Sequence, residues 1–432
     1  MADKKLIKNV RVFDGRSDIL TEHASIVIED ELVCEITQSV VSEENFKEVI
    51  DGQNKVAIPG LTDAHVHLSH NVVGQDGHPR IDEMAVRSTR VARDMLLRGF
   101  TTIRDAGGIV YGLKKNIDNG FLEGPRIYPS NAYISQTCGH GDLRKSRAEQ
   151  RLLTGDYTSA WLHDQQSIIA DGVPEMLRAV REMLFLGASQ IKIMAGGGCS
   201  SQYDPIQTVQ FTYEEMKAAV DAAGDYGTYV MAHLYTPTSI QRAVKAGVKS
   251  LEHVSLMDDE TGRIVADNGT WVMPGPQFNA PYAFSEPDTS GYSKEQLKAY
   301  IQRKEKCDLI RYNEHISTET INKYNLNILF GTDSFGDPEV FGERQLVDFA
   351  VYKERFGSFK TLKSATGNIN ELIKLTTYQN PYPEGKIGVL EEGSFADLLL
   401  VDGNPVEDVA VLSDENNMRL IVKGGEVYKN TL

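Results

Sequence analysis

The chain has 432 residues, 41% of them apolar and 25% charged, with a formal net charge of −16. That is ordinary globular composition, too long for one small domain and long enough for a barrel of about 250 residues plus a second unit. Strong acidity without a basic run excludes a phosphate-backbone partner and is read as a solubility property, and no apolar run approaches the length needed to cross a bilayer.

The first segment, Met1-Ala2-Asp3-Lys4-Lys5, leads into alternating strand-like sequence and not into a secretory apolar region. Cys34, Cys138, Cys199 and Cys307 are scattered, with no C-x-x-C, and read as reduced thiols. Both features predict a cytoplasmic protein. Residues 6–13 alternate, Asp14-Gly15-Arg16 turns, and residues 24–28 alternate again.

The stretch Val56-Ala57-Ile58-Pro59-Gly60-Leu61 reads as a strand that runs into Thr62-Asp63-Ala64-His65-Val66-His67. In a strand, residues i and i+2 share a side. His65 and His67 can therefore meet at one point, and imidazole suits zinc and other divalent transition metals. Further strands are predicted at 101–105, 126–130, 190–194, 229–233, 250–253, 271–274 and 327–331. Between them, 175–186 and 213–223 carry apolar residues three and four apart, and 240–246 precedes a Gly-Val step. Residues 141–172, with Trp161 and His163, read as a mouth insertion. The glycine-rich run 195–204 lacks the Gly-Lys-Ser/Thr ending of a phosphate-binding loop and reads as a lid or pocket wall, with Cys199 as a small filler. Ala396-Asp397-Leu398-Leu399-Leu400-Val401 returns to strand, followed by a Gly403-Asn404-Pro405 turn and a strand at 420–422.

Eight β/α repeats predict an α/β fold, a (β/α)8 TIM barrel, with the two β-rich ends paired into a small composite β-sandwich domain. The expected boundaries are 1–56 and 383–432 for the sandwich and 57–382 for the barrel. A doubly wound open sheet is the competing architecture. The barrel is preferred because chemistry-bearing residues then fall at C-terminal strand ends.

Those residues are His65 and His67 after the first strand, Lys192 in the fourth, His233 in the fifth, His253 in the sixth and Asp333 after the eighth. Each alone has a plain structural reading. A strand-end His is commonly a satisfied polar residue, Lys192 could snorkel, and Gly331-Thr332-Asp333 could cap a helix. Together they mark a metal centre. Lys192 lies among apolar neighbours, so desolvation favours its neutral amine. Such an amine can add carbon dioxide, and the resulting carbamate can bridge two cations. A buried Lys192 paired with Asp333 or Glu252 is the alternative, and chemistry leaves the two open. Tyr128 and Asn131, which border the third strand, are candidate pocket residues. His23, His70, His78 and His315 belong to no constellation and are assigned to the surface or local structure.

These motifs, with Gln136-Thr137-Cys138-Gly139-His140-Gly141-Asp142, Lys192-Ile193-Met194-Ala195-Gly196-Gly197-Gly198, Gly247-Val248-Lys249-Ser250-Leu251-Glu252-His253 and the closing Ala396-Asp397-Leu398, resemble the amidohydrolase superfamily. More narrowly they resemble its prolidase-like branch of Xaa-Pro dipeptidases and ochratoxinase-like carboxypeptidases. The resemblance covers essentially the whole chain. It implies that His65, His67, Lys192 and Asp333 hold one divalent ion, and that carboxylated Lys192, His233 and His253 hold a second. The ions, zinc by preference, share a bridging hydroxide, and Asp333 acts as general base and then general acid. It also implies that His140 and Tyr235 hold a free substrate carboxylate, against the plainer reading in which His140 braces its loop.

The expected substrates are therefore small molecules with a free carboxylate: dipeptides or N-acyl amino acids. The resemblance also implies a homo-oligomer, while charge and hydropathy predict no nucleic-acid or membrane partner. The alternatives are an imidazolonepropionase-like cyclic amidase, a deaminase or a lactonase/esterase of the same superfamily, and a non-catalytic assembly protein. Lys192 argues against a single-metal deaminase, and the full ligand set argues against an assembly role. Residues 274–279 and 375–381 depart from the family pattern, so the accepted side chain stays open.

Overall fold

Strand alternation decides how the two ends of the chain combine with the middle. In the computed structural model, which describes residues 4–71, 81–142, 144, 166–275, 288–336 and 338–432, the terminal segments share one seven-stranded sheet. It contains β1 (Lys4–Val12), β2 (Thr21–Glu29), β3 (Leu32–Thr37) and β4 (Glu48–Pro59) from the N-terminal side. The C-terminal side contributes β14 (Leu398–Val401), β15 (Met418–Lys423) and β16 (Glu426–Asn430). Parallel β1 and antiparallel β14 flank β4. Successive residues of a strand face opposite ways, and here both faces are buried. Ala57, Leu398, Leu400, Leu420 and Val422 enter a core with Ile7, Val10 and Ile26. Val56, Ile58, Leu399, Val401 and Ile421 turn the other way and pack on Leu61, Leu96, Phe100 and Phe330 of the barrel.

The barrel strands are β5 (Leu61–Val66), β6 (Phe100–Asp105), β7 (Arg126–Pro129), β10 (Ile191–Met194), β11 (Val230–Leu234), β12 (Ser250–His253) and β13 (Trp271–Met273). The eighth position is taken by residues 327–334. They bridge Val272 through Ile328 and Val66 through Ser334. Ala64 N donates to Phe330 O at 2.8 Å and Asp333 N to His65 O at 2.7 Å. Between β7 and β10, Ser189 N donates to Pro129 O at 2.7 Å. Two short strands, β8 (Tyr133–Ser135) and β9 (Ser167–Ile169), extend the sheet beside β10.

The predicted strand at 56–61 is thus divided. Its apolar part is the end of β4, Gly60 makes the crossing, and the histidine pair belongs to β5 and the loop after it. Gly60 is required there because a Cβ would lie 2.0 Å from Thr101 Oγ1.

The described helices include α1 (Ile81–Leu97), α2 (Tyr111–Asp118), α3 (Val173–Phe185), α4 (Tyr213–Asp225), α5 (Pro237–Ala246) and α6 (Asp259–Asp267). They are followed by α7 (Lys294–Lys323), α8 (Pro338–Phe356), α9 (Ser358–Ser364) and α10 (Gly367–Ile373). Local chemistry places α5 between two strands that carry site histidines. Thr236 caps its N-terminus by accepting from Ser239 N, Pro237 takes the first turn, and Gly247 ends it in the left-handed region at φ 101°. The 30-residue α7, absent from the sequence-based expectation, is polar along most of its length and buries chiefly Ile310, Glu314, Ser317, Thr320 and Ile321.

Leu399 is fully buried between the terminal sheet and the barrel. Leu399→Ala is expected to cost about 2–5 kcal/mol, read as a lowered midpoint in thermal or urea unfolding. An unchanged midpoint would show that this sheet does not support the barrel.

Candidate active site

A buried charge pair organises the barrel interior beneath the mouth. Arg104 on β6 and Glu252 on β12 are each at most 1% exposed, with Nη2 to Oε1 at 2.9 Å. Burying an ion pair requires that its remaining hydrogen-bonding groups find partners. Arg104 donates to Ala64 O at 2.6 Å, Ser250 Oγ at 3.0 Å and Tyr229 OH at 3.2 Å. Glu252 accepts from Ser250 Oγ at 2.6 Å and from His65 Nδ1 at 2.8 Å. That last bond sets the His65 tautomer and turns its Nε2 toward the mouth. His67 is set likewise, because its Nδ1 donates to Gly107 O at 3.1 Å.

Both inward nitrogens reach one carboxylate. Asp333 Oδ1 is 3.5 Å from His65 Nε2 and 3.2 Å from His67 Nε2, and Asp333 Oδ2 is 4.0 Å from His253 Nε2. The pairing of β5 with β6 shifts register twice, at Leu61/Thr62 and Asp63/Val66. His67 also lies just past the strand end, so a bulged strand and its loop bring the two rings together, not strict alternation. One ligand atom from each of His65, His253 and Asp333 lies within 4.8 Å of the others. Lys192 Nζ is 3.3 Å from His65 Nε2. The His233 ring is 4.6 Å from that of His253, and its Nε2 donates to Gly197 O at 3.2 Å, leaving Nδ1 as the lone-pair nitrogen. All six predicted ligands thus stand at one end of the barrel.

The electrostatics suit cation binding. Burial lowers His65 and His233 well below the ordinary imidazole range and His253 to about 4. They are therefore uncharged at neutral pH, with lone pairs available. Burial also lowers Lys192 to about 8, against the raising influence of Glu252 and Asp333. Burial alone would raise Asp333, but the attraction of the His65, His67 and His253 rings in their protonated form opposes it and holds the carboxyl well below the usual carboxylate range, so Asp333 is ionised where the rings are neutral.

The backbone is strained at the same point. His253, Val254 and Asp333 have φ of 77°, 48° and 49°, a region L-residues with a side chain rarely adopt, least of all a β-branched one.

His140 and Tyr235 border this cluster. The His140 ring stacks on His233 at 4.2 Å, and Tyr235 lies 4.9 Å from His233 and 5.4 Å from His253. The buried Tyr235 packs in a cluster with Cys199, Ile206 and Ile310, against which Cys307 lies. All four cysteines are free thiols. Residues 196–210 form a wall tied down by the Gly196–Val209 bridge and by Asp204, which accepts from Gly198 N at 2.8 Å.

Two expectations require correction. His70 is not a remote histidine: its ring lies 4.7 Å from His67 and stacks on Tyr133 at 6.0 Å. Tyr128 and Asn131 do not line the mouth. Tyr128 donates to Asn380 Oδ1 and packs on Tyr382, while Asn131 holds the carbonyls of Met183 and Leu186 at the end of α3. His23 and His315 are exposed, as expected, whereas His78, Trp161, His163 and most of the 141–172 insertion lie outside the described residues.

Sequence reasoning missed the supporting carboxylates. Asp63 accepts from Thr332 and Gln345, and burial raises it to about 6. Asp105, raised to about 7 by burial, accepts from Leu68 N and Gly107 N and so holds the loops beside His67. The available signal was a charged residue inside an apolar strand: Asp63 in β5, and Arg104 with Asp105 at the end of β6.

The model of the amidohydrolase family matches residues 56–428. Ochratoxinase of Aspergillus niger is 30% identical over 423 residues, covering 94% of this chain and 83% of its own length. A crystal structure of a prolidase complexed with N-methylphosphonate-L-proline superposes with a TM-score of 0.86 at 32% identity, covering 99% of this chain and 100% of that one. A Xaa-Pro dipeptidase with bound methionine in its active site gives 0.83 at 30% identity, again covering 99% and 100%.

Two predictions follow from the geometry. Glu252→Gln leaves the Arg104 guanidinium buried without its counter-charge and is expected to cost about 3–5 kcal/mol, read as a lowered urea midpoint. Unchanged unfolding would remove this pair from the supports of the barrel. Acidification supplies the other test. In the metal-free protein His253 and His140 stay neutral down to about pH 4, whereas the unfolded chain takes up those protons near pH 6.5. The unfolded state binds more protons across that window, so stability falls as pH drops from about 6.5 to about 4, by up to roughly 3 kcal/mol per imidazole. Denaturant titrations at pH 7, 5.5 and 4.5 check this, and a flat profile counts against buried neutral rings.

Proposed function

Since this chain belongs to the amidohydrolase family, we propose that it is a binuclear metal-dependent hydrolase acting on carboxylate-bearing substrates, cleaving the amide bond of dipeptides or N-acyl amino acids as a carboxypeptidase or Xaa-Pro dipeptidase does. Amide-bond hydrolysis follows from the family and from the ochratoxinase and prolidase relatives. The observation that carries the finer reading is the convergence of His65, His253 and Asp333 within 4.8 Å, with His67 and Lys192 in contact with them.

The donor set fits divalent ions of the zinc type: uncharged imidazoles aimed inward, a buried carboxylate, and a lysine whose ammonium is disfavoured. His65, His67, Asp333 and Lys192 as its carbamate would hold one ion. Lys192, His233 and His253 would hold the other. Such ions supply Lewis acidity toward the scissile carbonyl and bring the pKa of water to about 7.

The chain itself moves the proton. An Asp333 oxygen takes it from the attacking water and delivers it to the departing nitrogen, since an amide nitrogen leaves poorly unless protonated. Glu252 keeps His65 oriented throughout. His140 and Tyr235 donate to the free carboxylate of the substrate and fix the amide relative to Asp333. The reading includes a homo-oligomer on family grounds. Among the described residues no helix is long and apolar enough to cross a membrane.

Elemental analysis is expected to find two zinc ions per chain, with activity lost on chelation and restored by zinc. A single ion would favour the deaminase or cyclic-amidase reading, and none an assembly role. A panel of Xaa-Pro, Xaa-Arg and Xaa-Phe dipeptides and N-acyl amino acids identifies the substrate. Asp333→Asn should lower kcat by about 10²–10⁴-fold in a protein that unfolds at its normal midpoint, and near-normal turnover would rule out the proton-transfer role. His140→Ala should raise KM for carboxylate substrates but not for their carboxamides.

A further inference from the structure

We infer that Lys306, on α7, is a positioning residue for carboxylate recognition, holding the wall formed by residues 198–204 and through it the imidazole of His140. This deepens the proposed function and rests on His140 as the group that holds the substrate carboxylate.

An ammonium has three donors and no acceptor. Lys306 Nζ places all three on one stretch of chain, at Asp204 O (2.6 Å), Ser201 O (2.8 Å) and Gly198 O (3.1 Å). Three carbonyls within seven residues can converge on one nitrogen only if the loop bends around it. Because these acceptors are neutral, the bonds are charge-assisted without cancelling the positive charge.

The other side of the same loop forms the seat of His140. Ser201 Oγ is 2.7 Å from His140 Nδ1, and Asp204 Oδ2 is 3.7 Å from it. Gly198 lies so close to the ring that a Cβ there would fall 1.8 Å from Nδ1. The residues whose carbonyls Lys306 takes are therefore the ones that touch the imidazole. The backbone N–H of His140 donates to Gln210 Oε1 at 3.0 Å, and the Gln210 amide reaches Asp204 at 3.4 Å. With one ring face stacked on His233 and Nδ1 accepting from the Ser201 hydroxyl, the ring cannot turn, and the neutral imidazole carries its proton on Nε2, the nitrogen presented to a ligand. Helix α7, outside the catalytic strands, thus acts on specificity through Lys306.

The test compares a carboxylate substrate with its carboxamide in wild type, Lys306→Met, Ser201→Ala and His140→Ala, together with limited proteolysis of residues 198–204. Lys306→Met is expected to raise KM for the carboxylate about tenfold, the loss of roughly one charge-assisted hydrogen bond. Its kcat and its KM for the carboxamide should stay unchanged, and the loop should become cleavable. Ser201→Ala, which leaves the strap intact, should raise the same KM about threefold without cleavage. Equal KM increases for both substrates, or a fall in kcat alone, would overturn the positioning role. Should His140→Ala itself fail to discriminate, the carboxylate reading falls instead. Protease resistance of the loop in Lys306→Met then overturns the strap, and cleavage upholds it.

Discussion

The burial of Arg104 against Glu252 is the constraint on which the site depends. Two opposite charges inside a barrel are tolerated only when every remaining donor and acceptor is used, and here those partners are the strands themselves. Arg104 reaches Ala64 on β5, Tyr229 just before β11 and Ser250 on β12, while Glu252 reaches His65. One network therefore ties together the strands that carry His65, His233 and His253. It converts a desolvation cost into orientation, because the bond that satisfies Glu252 also decides which nitrogen of His65 faces the mouth.

Around that network the site concentrates what folding alone disfavours. Neutral imidazoles, a disfavoured ammonium, a buried Asp333 and three residues at positive φ lie within a few ångströms. Such strain persists only where the surroundings over-determine it. Here the β12 register, the α5 cap and the Asp333 N to His65 O bond do so. Groups poised in this way gain most from a cation that neutralises the carboxylate and uses the lone pairs.

Much of this was readable from sequence. The positions of Lys192, His233, His253 and Asp333 on or just after barrel strands follow from β/α rhythm, and the His-x-His pair is visible in the sequence although a bulge and a loop, not strict alternation, bring its rings together. The strand at 56–61 misled because apolar residues buried on both faces look the same in a sheet flank and in a barrel strand. His70 was misplaced because a loop after β5 folds back over His67, which no periodicity encodes. Arg104 and Asp63 were missed because their partners are distant in sequence. Helix α7 was missed because its surface is polar nearly all round.

The terminal sheet carries a consequence for biosynthesis. β4 leads directly into β5, yet one of its two neighbours is β14, with Val56 beside Val401 and Pro59 beside Leu398. While the ribosome is still reading most of the message, β4 has an unpaired apolar edge next to the first strand of the nascent barrel, the kind of edge that invites wrong partners. That edge can be closed by its native partner only after residues 398–401 have been synthesised.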